Sequence, residues 1–255
     1  MNDRKIPLKP LKWYEGLVTA KGRNEDSVFL VEGDRSITQI IESHPEAIVE
    51  IITVDALSSR YKNYPVRCVA EGQFKKICST KTPQGPLAVV RLPGYVNSAS
   101  LPGEVGGRVL LLEDVQDPGN VGSLIRSAVA FGYDGVVMSD RCADPFSPKC
   151  VQSTAGTVLS LWIRRSAAYM KAIGELKKRG YKVVSTTLNG IDSPSVLAGL
   201  DKIVLALGNE ASGLSDAVIG VSEYCCKIPI ASESAESLNV AACGAICMYI
   251  NVEGC

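Results

Sequence analysis

Five short apolar runs alternate with helical segments in the second part of the chain. Each run has five to eight residues, and Val, Ile and Leu follow one another with few interruptions, which is typical of strands covered on both faces. The runs occupy residues 108–114, 135–139, 181–188, 202–207 and 226–230. Because strands and helices in alternation build parallel sheets, the sequence predicts an α/β fold with a mostly parallel sheet.

The first part of the chain predicts a smaller α/β unit. Residues 27–33, 47–54 and 85–92 have the composition of strands, and residues 35–43 have the spacing of a short helix. The stretch LPGYVNSASLPGEVGG, which begins at Leu92, has two Pro-Gly pairs and is typical of a linker. The predicted organisation is a small α/β domain at residues 1–92, a linker at 93–107 and the domain with the parallel sheet at 108–255.

Composition restricts the surroundings in which such a chain works. The first residues are basic but lack an apolar core, and no run approaches the ~18 apolar residues of a membrane span. We therefore expect a soluble, cytoplasmic protein without membrane contact. Nine cysteines occur without a CxxC pair, and the only histidine is His44, so reduced thiols and no metal site are expected. Cys243 and Cys247 are interpreted as core residues rather than metal ligands.

Charge differs between the two parts. Lys and Arg outnumber Asp and Glu by 14 to 11 in residues 1–92, whereas residues 93–255 hold 13 against 16. Residues 1–23 are the most basic, with six basic and two acidic side chains. They are either a contact for phosphates or a solvated terminal segment, and charge alone leaves both interpretations open.

The stretch EDVQDPGNVGSLIRSAVAFG, residues 113–132, predicts a turn between a buried strand and a helix. The helix has one apolar stripe, formed by Val121, Leu124, Ile125, Ala128 and Val129. Arg126 lies off that stripe. The turn follows the carboxyl end of a strand, where open parallel sheets place ligand sites. Asn120 and Arg126 are therefore either a helix cap and a solvated side chain or a functional pair.

Known nucleotide motifs do not fit. Gly119 and Gly122 lack the full GxGxxG spacing, and residues 208–215 lack the lysine of a phosphate loop. Four polar turns nevertheless follow apolar runs, and we expect them to line one pocket. They are residues 117–120, 186–190, 208–213 and 228–239.

Three motifs in order resemble the SpoU class of RNA 2′-O-ribose methyltransferases within the SPOUT superfamily. The first is LEDVQDPGNVGSLIRSAVAFG, with Asn120 and Arg126; the second is LALGNEASGLS, with Gly208, Glu210 and Gly213. The third is IPIASESAESLNV, with Ile228, Pro229, Ser237, Leu238 and Asn239. The stretches KGRNEDSVFLVEG and KTPQGPLAVV are similar to the substrate-binding domain often fused to these enzymes. Gln152 departs from the pattern, since an arginine is common there.

The resemblance implies a trefoil-knotted catalytic domain, S-adenosylmethionine as cofactor, and a homodimer through the C-terminal domain. It implies that backbone groups of three loops hold the cofactor, and these map to Thr187, Gly208, Ile228 and Leu238. The implied catalytic residues are Asn120, Arg126, Glu210, Ser237 and Asn239. In this scheme Glu210 orients Arg126, and Arg126 stabilises the negative charge that develops on the ribose oxygen. A guanidinium is a poor proton acceptor, so we prefer this role to that of general base.

The implied partner is RNA, and the fused first domain favours ribosomal RNA over transfer RNA. A module of the same fold that binds RNA or S-adenosylmethionine without turnover is the main alternative. A related enzyme that methylates a base nitrogen is the third hypothesis, and it ranks last because such enzymes usually lack this Asn-to-Arg motif beside Ser-Leu-Asn.

Overall fold

The computed structural model describes residues 9–55, 59–80, 82–83, 85–231 and 236–253. Arg4 and Lys5 of the basic first segment lie outside these ranges. Two compact units are present: the first comprises Met1–Gly94 and Asp144–Leu159, and the second Tyr95–Ala143 and Ser160–Cys255. Within the described ranges, no helix combines the length and the apolar character needed to cross a bilayer.

The helices and strands follow one another as the alternation predicts. Residues up to 94 form α1 (Leu11–Gly16), α2 (Ala20–Asp26), β1 (Val28–Glu32), α3 (Asp34–Ser43), β2 (Ile48–Thr53), β3 (Val66–Cys68), α4 (Glu71–Ile77) and β4 (Leu87–Arg91). Later residues form β5 (Arg108–Leu112), α5 (Pro118–Ala130), β6 (Gly135–Met138), α6 (Pro148–Thr154), β7 (Trp162–Arg165), α7 (Tyr169–Lys178), β8 (Lys182–Thr186), β9 (Ile203–Leu207), α8 (Asp216–Val221), β10 (Tyr224–Cys226) and α9 (Val240–Glu253).

The first unit contains a mixed sheet. Its strand order among the described residues is β1-β4-β2-β3, with β4 antiparallel to both β1 and β2, and β3 parallel to β2. The core on one side of it includes Tyr14, Leu30, Ile52 and Val89. The sequence did not predict β3, because Val66–Cys68 has only three residues and no continuous apolar run.

Residues 144–159 pack in the first unit, although the sequence prediction placed them inside the domain that starts at 108. The Phe146 ring meets Phe29 of β1 edge to face, with 4.9 Å between the ring centres. The buried Arg23 guanidinium forms an ion pair with Asp144. The prediction assumed that each domain is one continuous stretch of the chain. These apolar and ionic contacts instead place residues 144–159 in the first unit.

The second unit contains the predicted parallel sheet, and the α/β fold class is confirmed. Its strand order in the described chain is β10-β8-β9-β5-β6-β7, and every pairing is parallel. Two details differ from the prediction. The run at 226–230 is a strand only at Cys226, because Pro229 has no N–H group for a ladder. Strand β7 was missed, since Trp162–Arg165 ends in two arginines.

Helix α5 starts earlier than its apolar stripe indicated. Pro118 is its first residue, and the Asp117 side chain caps it by accepting a 2.9 Å hydrogen bond from the backbone N–H of Asn120. The interpretation of Asn120 as the cap is therefore wrong, because Asp117 holds the position from which a carboxylate reaches the free N–H groups. The Asn120 side chain therefore does not cap the helix.

Candidate active site

Three of the four predicted turns meet at one cavity beyond the carboxyl ends of β8, β9 and β10. The cavity has a volume of about 260 Å³. The four residues predicted to bind the cofactor and two predicted catalytic residues contribute to its lining: Thr187, Gly208, Ile228, Leu238, Glu210 and Ser237. Neighbouring parallel strands end at the same edge of the sheet, which is why turns distant in sequence converge there. The fourth turn, at 117–120, is not among the residues that line the cavity.

The turn at 208–215 is tightly closed. Asn209 and Gly213 exchange two backbone hydrogen bonds of 3.1 and 2.9 Å, and Gly213 has a φ of +70°. A Cβ atom on Gly208 would lie 2.3 Å from the carbonyl carbon of Gly213. The turn's own backbone occupies the space that a side chain at 208 would need. Glycine at 208 therefore allows the turn to close and to present Glu210.

Glu210, Asn120 and Asn239 form a hydrogen-bonded chain across three motifs. The Asn120 Nδ2 group donates to Glu210 Oε1 at 2.7 Å, and Asn239 Nδ2 donates to Asn120 Oδ1 at 3.0 Å. Asn239 Oδ1 also accepts from the backbone N–H of Ala241 at 2.9 Å, which caps the start of α9. The chain fixes the Asn120 amide from both sides, and it joins residues that are 90 and 119 positions apart.

Arg126 does not join this chain. Glu210 bonds to Asn120, and the described chain has no hydrogen bond or ion pair between Glu210 and Arg126, the two residues that the sequence prediction had paired. The physical reason is helical geometry: six residues at ~100° and ~1.5 Å each turn Arg126 to another face of α5, about 9 Å further along the axis. Arg126 is exposed, so its guanidinium is accessible to a substrate.

The cavity fits a methyl donor held by backbone groups. In the described chain, the backbone N–H and C=O groups of Ile228 and Leu238 make no hydrogen bond within the protein, so a bound ligand can use them. Thr187 differs, because its N–H donates to the Cys226 carbonyl at 3.0 Å. The side chains of Leu188 and Ile230 add apolar surface to the lining. A ligand with an apolar ring and several polar atoms suits this combination.

Sequence reasoning missed Glu113, which anchors the second motif. Its side chain is 4% exposed, and it accepts hydrogen bonds from the Tyr169 hydroxyl and from the backbone N–H and hydroxyl of Ser215, the latter two at 2.7 Å. The pKa of the Tyr169 hydroxyl is raised by burial and by the Glu113 carboxylate. The residue after Glu113 also holds the second motif, because Asn209 Nδ2 donates to the Asp114 carbonyl at 2.8 Å. The signal in the sequence was a carboxylate directly after an apolar strand.

Ser237 and Gln152 complete the positions singled out from the sequence. Ser237 is exposed and borders the cavity, where its hydroxyl is available to a ligand. Gln152 lies on α6 in the first unit and is exposed. Gln152 is not among the residues that line the cavity.

Comparison with known proteins gives the same assignment as the motifs. Residues 107–249 match the model of the SpoU rRNA Methylase family, and residues 10–88 match the MRM3-like substrate binding domain. RlmP of Bacillus subtilis, named as a 23S rRNA (guanosine(2553)-2′-O)-methyltransferase, is 31% identical over 244 residues, which cover 94% of each chain.

Solved structures agree with that comparison. The SpoU methyltransferase AviRb from Streptomyces viridochromogenes, in complex with AdoMet, has a TM-score of 0.83 at 25% identity and covers 99% of this chain and 98% of its own. An AdoMet-bound rRNA methyltransferase from Sinorhizobium meliloti shares the fold, with a TM-score of 0.79 at 24% identity over 98% of this chain and 96% of its own. The class is therefore an RNA methyltransferase that uses S-adenosylmethionine. The chain belongs to the SpoU rRNA methylase family, which confirms the resemblance drawn from the three motifs.

Proposed function

We propose that this protein transfers a methyl group from S-adenosylmethionine to a ribose 2′-hydroxyl of ribosomal RNA. The observation that carries the proposal is the Glu210–Asn120–Asn239 chain beside a cavity whose backbone groups can bind a donor. The name of RlmP, a 23S rRNA 2′-O-methyltransferase, supports both the ribose and the ribosomal target. Transfer RNA is the alternative substrate.

The donor supplies a sulfonium methyl group whose departure leaves a neutral thioether. Positioning dominates such an in-line displacement, and the protein also has to stabilise the negative charge that grows on the ribose oxygen. Arg126 is the exposed cation assigned to this oxygen, and arginine keeps its proton in proteins. Its position outside the Glu210 chain leaves the guanidinium available for the substrate oxygen or the adjacent phosphate.

The Glu210 chain is proposed to position the ribose. Both polar atoms of the Asn120 amide are used inside the protein, so Asn120 acts through its neighbours. The second carboxylate oxygen of Glu210 and the Ser237 hydroxyl remain available for substrate. Thr187, Gly208, Ile228 and Leu238 form the donor site, with Ile228 and Leu238 contributing the free backbone groups.

A homodimer through α9 completes the proposal. Ala242, Ile246 and Tyr249 recur at the spacing of one helix face, and Ile246 and Tyr249 are 39% and 51% exposed. Gly244 faces its own unit, because a Cβ there would lie 2.4 Å from Leu124 and 2.7 Å from Leu207. The proposed interface is therefore the Ala242 face. The trefoil knot and the cytoplasmic location stay predictions.

Transfer of a tritiated methyl group from S-adenosylmethionine to ribosomal RNA tests the activity. A 2′-O-methyl group protects the neighbouring phosphodiester from alkali, so the label should appear in alkali-resistant dinucleotides. Ribosomal RNA from a strain without the enzyme provides the unmethylated substrate, and transfer RNA provides the comparison. Label in single nucleotides would show base methylation. Donor binding without transfer to either RNA would establish the non-catalytic module instead.

A further inference from the structure

Three thiols meet beside the proposed donor pocket. Cys226 ends β10, Cys243 lies in the first turn of α9, and Cys247 lies one turn further on. The Cys247 thiol is within hydrogen-bonding reach of the other two, and Cys226 and Cys243 contribute to the cavity lining. Cys226 and Cys247 are buried, whereas Cys243 is partly exposed. All three are free thiols, and no group of the described residues has the arrangement of a metal site.

The surroundings of Cys243 favour its thiolate. Hydrogen bonding from Cys247 lowers the pKa of the Cys243 thiol and outweighs burial, which raises it. The start of a 14-residue helix adds a favourable field for negative charge. Cys225, next to the cluster, is the opposite case: burial and the Asp192 carboxylate raise the pKa of its thiol. Cys225 is also partly exposed and does not line the cavity, so the two thiols form a natural pair for comparison.

We infer that Cys243 is a modification site inside the donor pocket, that it takes small disulfides, and that its modification excludes S-adenosylmethionine. The inference rests on the proposed function only in assigning this cavity to the donor. In the reaction, the Cys243 thiolate attacks one sulfur of a disulfide RSSR and forms the mixed disulfide Cys243–S–SR. The S–S bond of the reagent breaks, and RS⁻ leaves with the electron pair and takes a proton from water. No other oxidant is required.

Exclusion follows from the size of the cavity and the place of the thiol. An adduct on Cys243 projects into a space of about 260 Å³ that is shared with Gly208, Ile228 and Leu238. The adduct and the donor then compete for the same volume. Competition is reciprocal, so bound S-adenosylmethionine should protect Cys243 from modification.

Treatment of the full-length protein with bis(2-hydroxyethyl) disulfide at pH 7.5 tests the inference, with each cysteine followed by peptide mass spectrometry. We expect Cys243 to be modified at least ~10-fold faster than Cys225, because the thiolate is the nucleophile. Saturating S-adenosylmethionine should slow Cys243 and leave Cys225 unchanged, and dithiothreitol should restore donor binding. In Cys243→Ser protein, bis(2-hydroxyethyl) disulfide should no longer reduce donor binding.

Variants at Cys247 separate the donated hydrogen bond from packing. Cys247→Ser keeps a hydroxyl donor beside Cys243 and should preserve fast modification, whereas Cys247→Ala removes the donor and should slow it several-fold. Equal rates for Cys243 and Cys225 in the unaltered protein would overturn the inference. Fast modification that S-adenosylmethionine does not slow, in a protein shown by calorimetry to bind it, would also overturn the inference and leave the proposed function standing. Failure to bind the donor at all would refute the donor site itself.

Discussion

The sheets of the two units are built differently, and the difference explains where the candidate site lies. In the first unit β4 runs against both of its neighbours, so turns leave the sheet at opposite edges. In the second unit every strand pairing is parallel, so the turns after β5, β8, β9 and β10 all leave at one edge. A polar set such as Glu210, Asn120 and Asn239 assembles from distant positions only in the second arrangement.

In the first unit, buried polar side chains stabilise the unit's own core. Buried Arg23 donates to the carbonyls of Leu17 and Val18 at 3.1 and 2.8 Å and pairs with Asp144. Buried Glu50 accepts from the Tyr14 hydroxyl. These contacts close a core, whereas the chain from Glu210 to Asn239 lies at an open edge. We therefore expect changes in the second unit to alter donor binding or transfer, and changes in the first unit to alter its own stability and RNA binding.

The strongest test of this contrast is Gly208→Ala. Its Cβ atom would lie 2.3 Å from Gly213 and 2.4 Å from the Leu214 nitrogen, so the turn would have to move. A displacement of about 1 Å at a site can lower the reaction rate ~100-fold. Donor binding by calorimetry and methyl transfer should both be lost. The matched control is Gly174→Ala on α7, which meets no atom within 4 Å and gains about 1 kcal/mol of helix propensity. Normal donor affinity in Gly208→Ala would contradict the role of the turn.

Arg126→Ala should slow methyl transfer without changing donor binding. Loss of a group that stabilises developing charge lowers kcat by roughly 10²–10³-fold, while donor affinity should stay unchanged because Arg126 does not line the cavity. Tritium transfer and calorimetry measure the two effects. Arg179→Ala, at an exposed arginine paired with Glu175 on α7, is the control. Transfer at the normal rate by the Arg126 variant would remove that residue from the mechanism.

Arg23→Met tests the stability of the first unit, which includes residues 144–159. Two carbonyls lose their donor, and Asp144, whose side chain is 29% exposed, loses its partner, so the expected cost is about 1–3 kcal/mol. The two tryptophans, Trp13 and Trp162, lie one in each unit, so variants with a single tryptophan report urea unfolding of each unit separately. The Trp13 transition should move to lower urea while donor binding persists.

Lys21→Ala is the control for that change, because the Lys21 side chain is 84% exposed in its pair with Glu25. If the Trp13 and Trp162 transitions both moved to lower urea in Arg23→Met, the two units would unfold together.

Deletion of residues 1–92 is a more drastic change to the first unit. It strips the packing from Phe146, Cys150 and Val151, so we expect such a truncated chain to aggregate.

Glu113→Gln should weaken the site without removing any residue of the cavity wall. The amide keeps one acceptor oxygen but cannot accept from Tyr169 and from both Ser215 groups as the carboxylate does. With a loss of about 1–2 kcal/mol in the anchor, donor affinity should fall roughly tenfold and kcat less. Tyr169→Phe removes one of these bonds and should give a smaller loss. A drop in thermal stability with unchanged donor affinity would show that Glu113 is purely structural.

The smallest expected effect is a pH dependence in the first unit. Burial and the hydrogen bond to Asp34 raise the pKa of the Tyr61 hydroxyl from 10.0 to about 12. A raised pKa stabilises the neutral form in the folded state, so this contribution is complete below pH 10 and is lost as the pH rises towards 12. Tyr61→Phe should therefore lose less stability than the unaltered protein over that window, as followed by Trp13 fluorescence. An unchanged pH profile in Tyr61→Phe would contradict this assignment.

Local patterns in the sequence were sufficient for the class of fold and for the convergence of three of the four polar turns at one cavity. Apolar runs of strand length predict buried parallel strands because each run is covered on both faces, and the turns after them share one edge. The stripe of Val121, Leu124, Ile125 and Ala128 is buried as its spacing predicts. The residues that converge at the cavity were therefore found without knowledge of any contact between them.

The tertiary structure decided which side chains bond to which. Glu210 bonds to Asn120 rather than Arg126 because helical rotation turns those two residues of α5 to different faces. Residues 144–159 pack in the first unit because Phe146 meets Phe29, a partner 117 positions away by number. Cys226, Cys243 and Cys247 gather only where the end of β10 meets α9. Sequence periodicity records which face of an element is buried, whereas such pairings depend on how separate elements are placed in space, and that placement is not a local property of the chain.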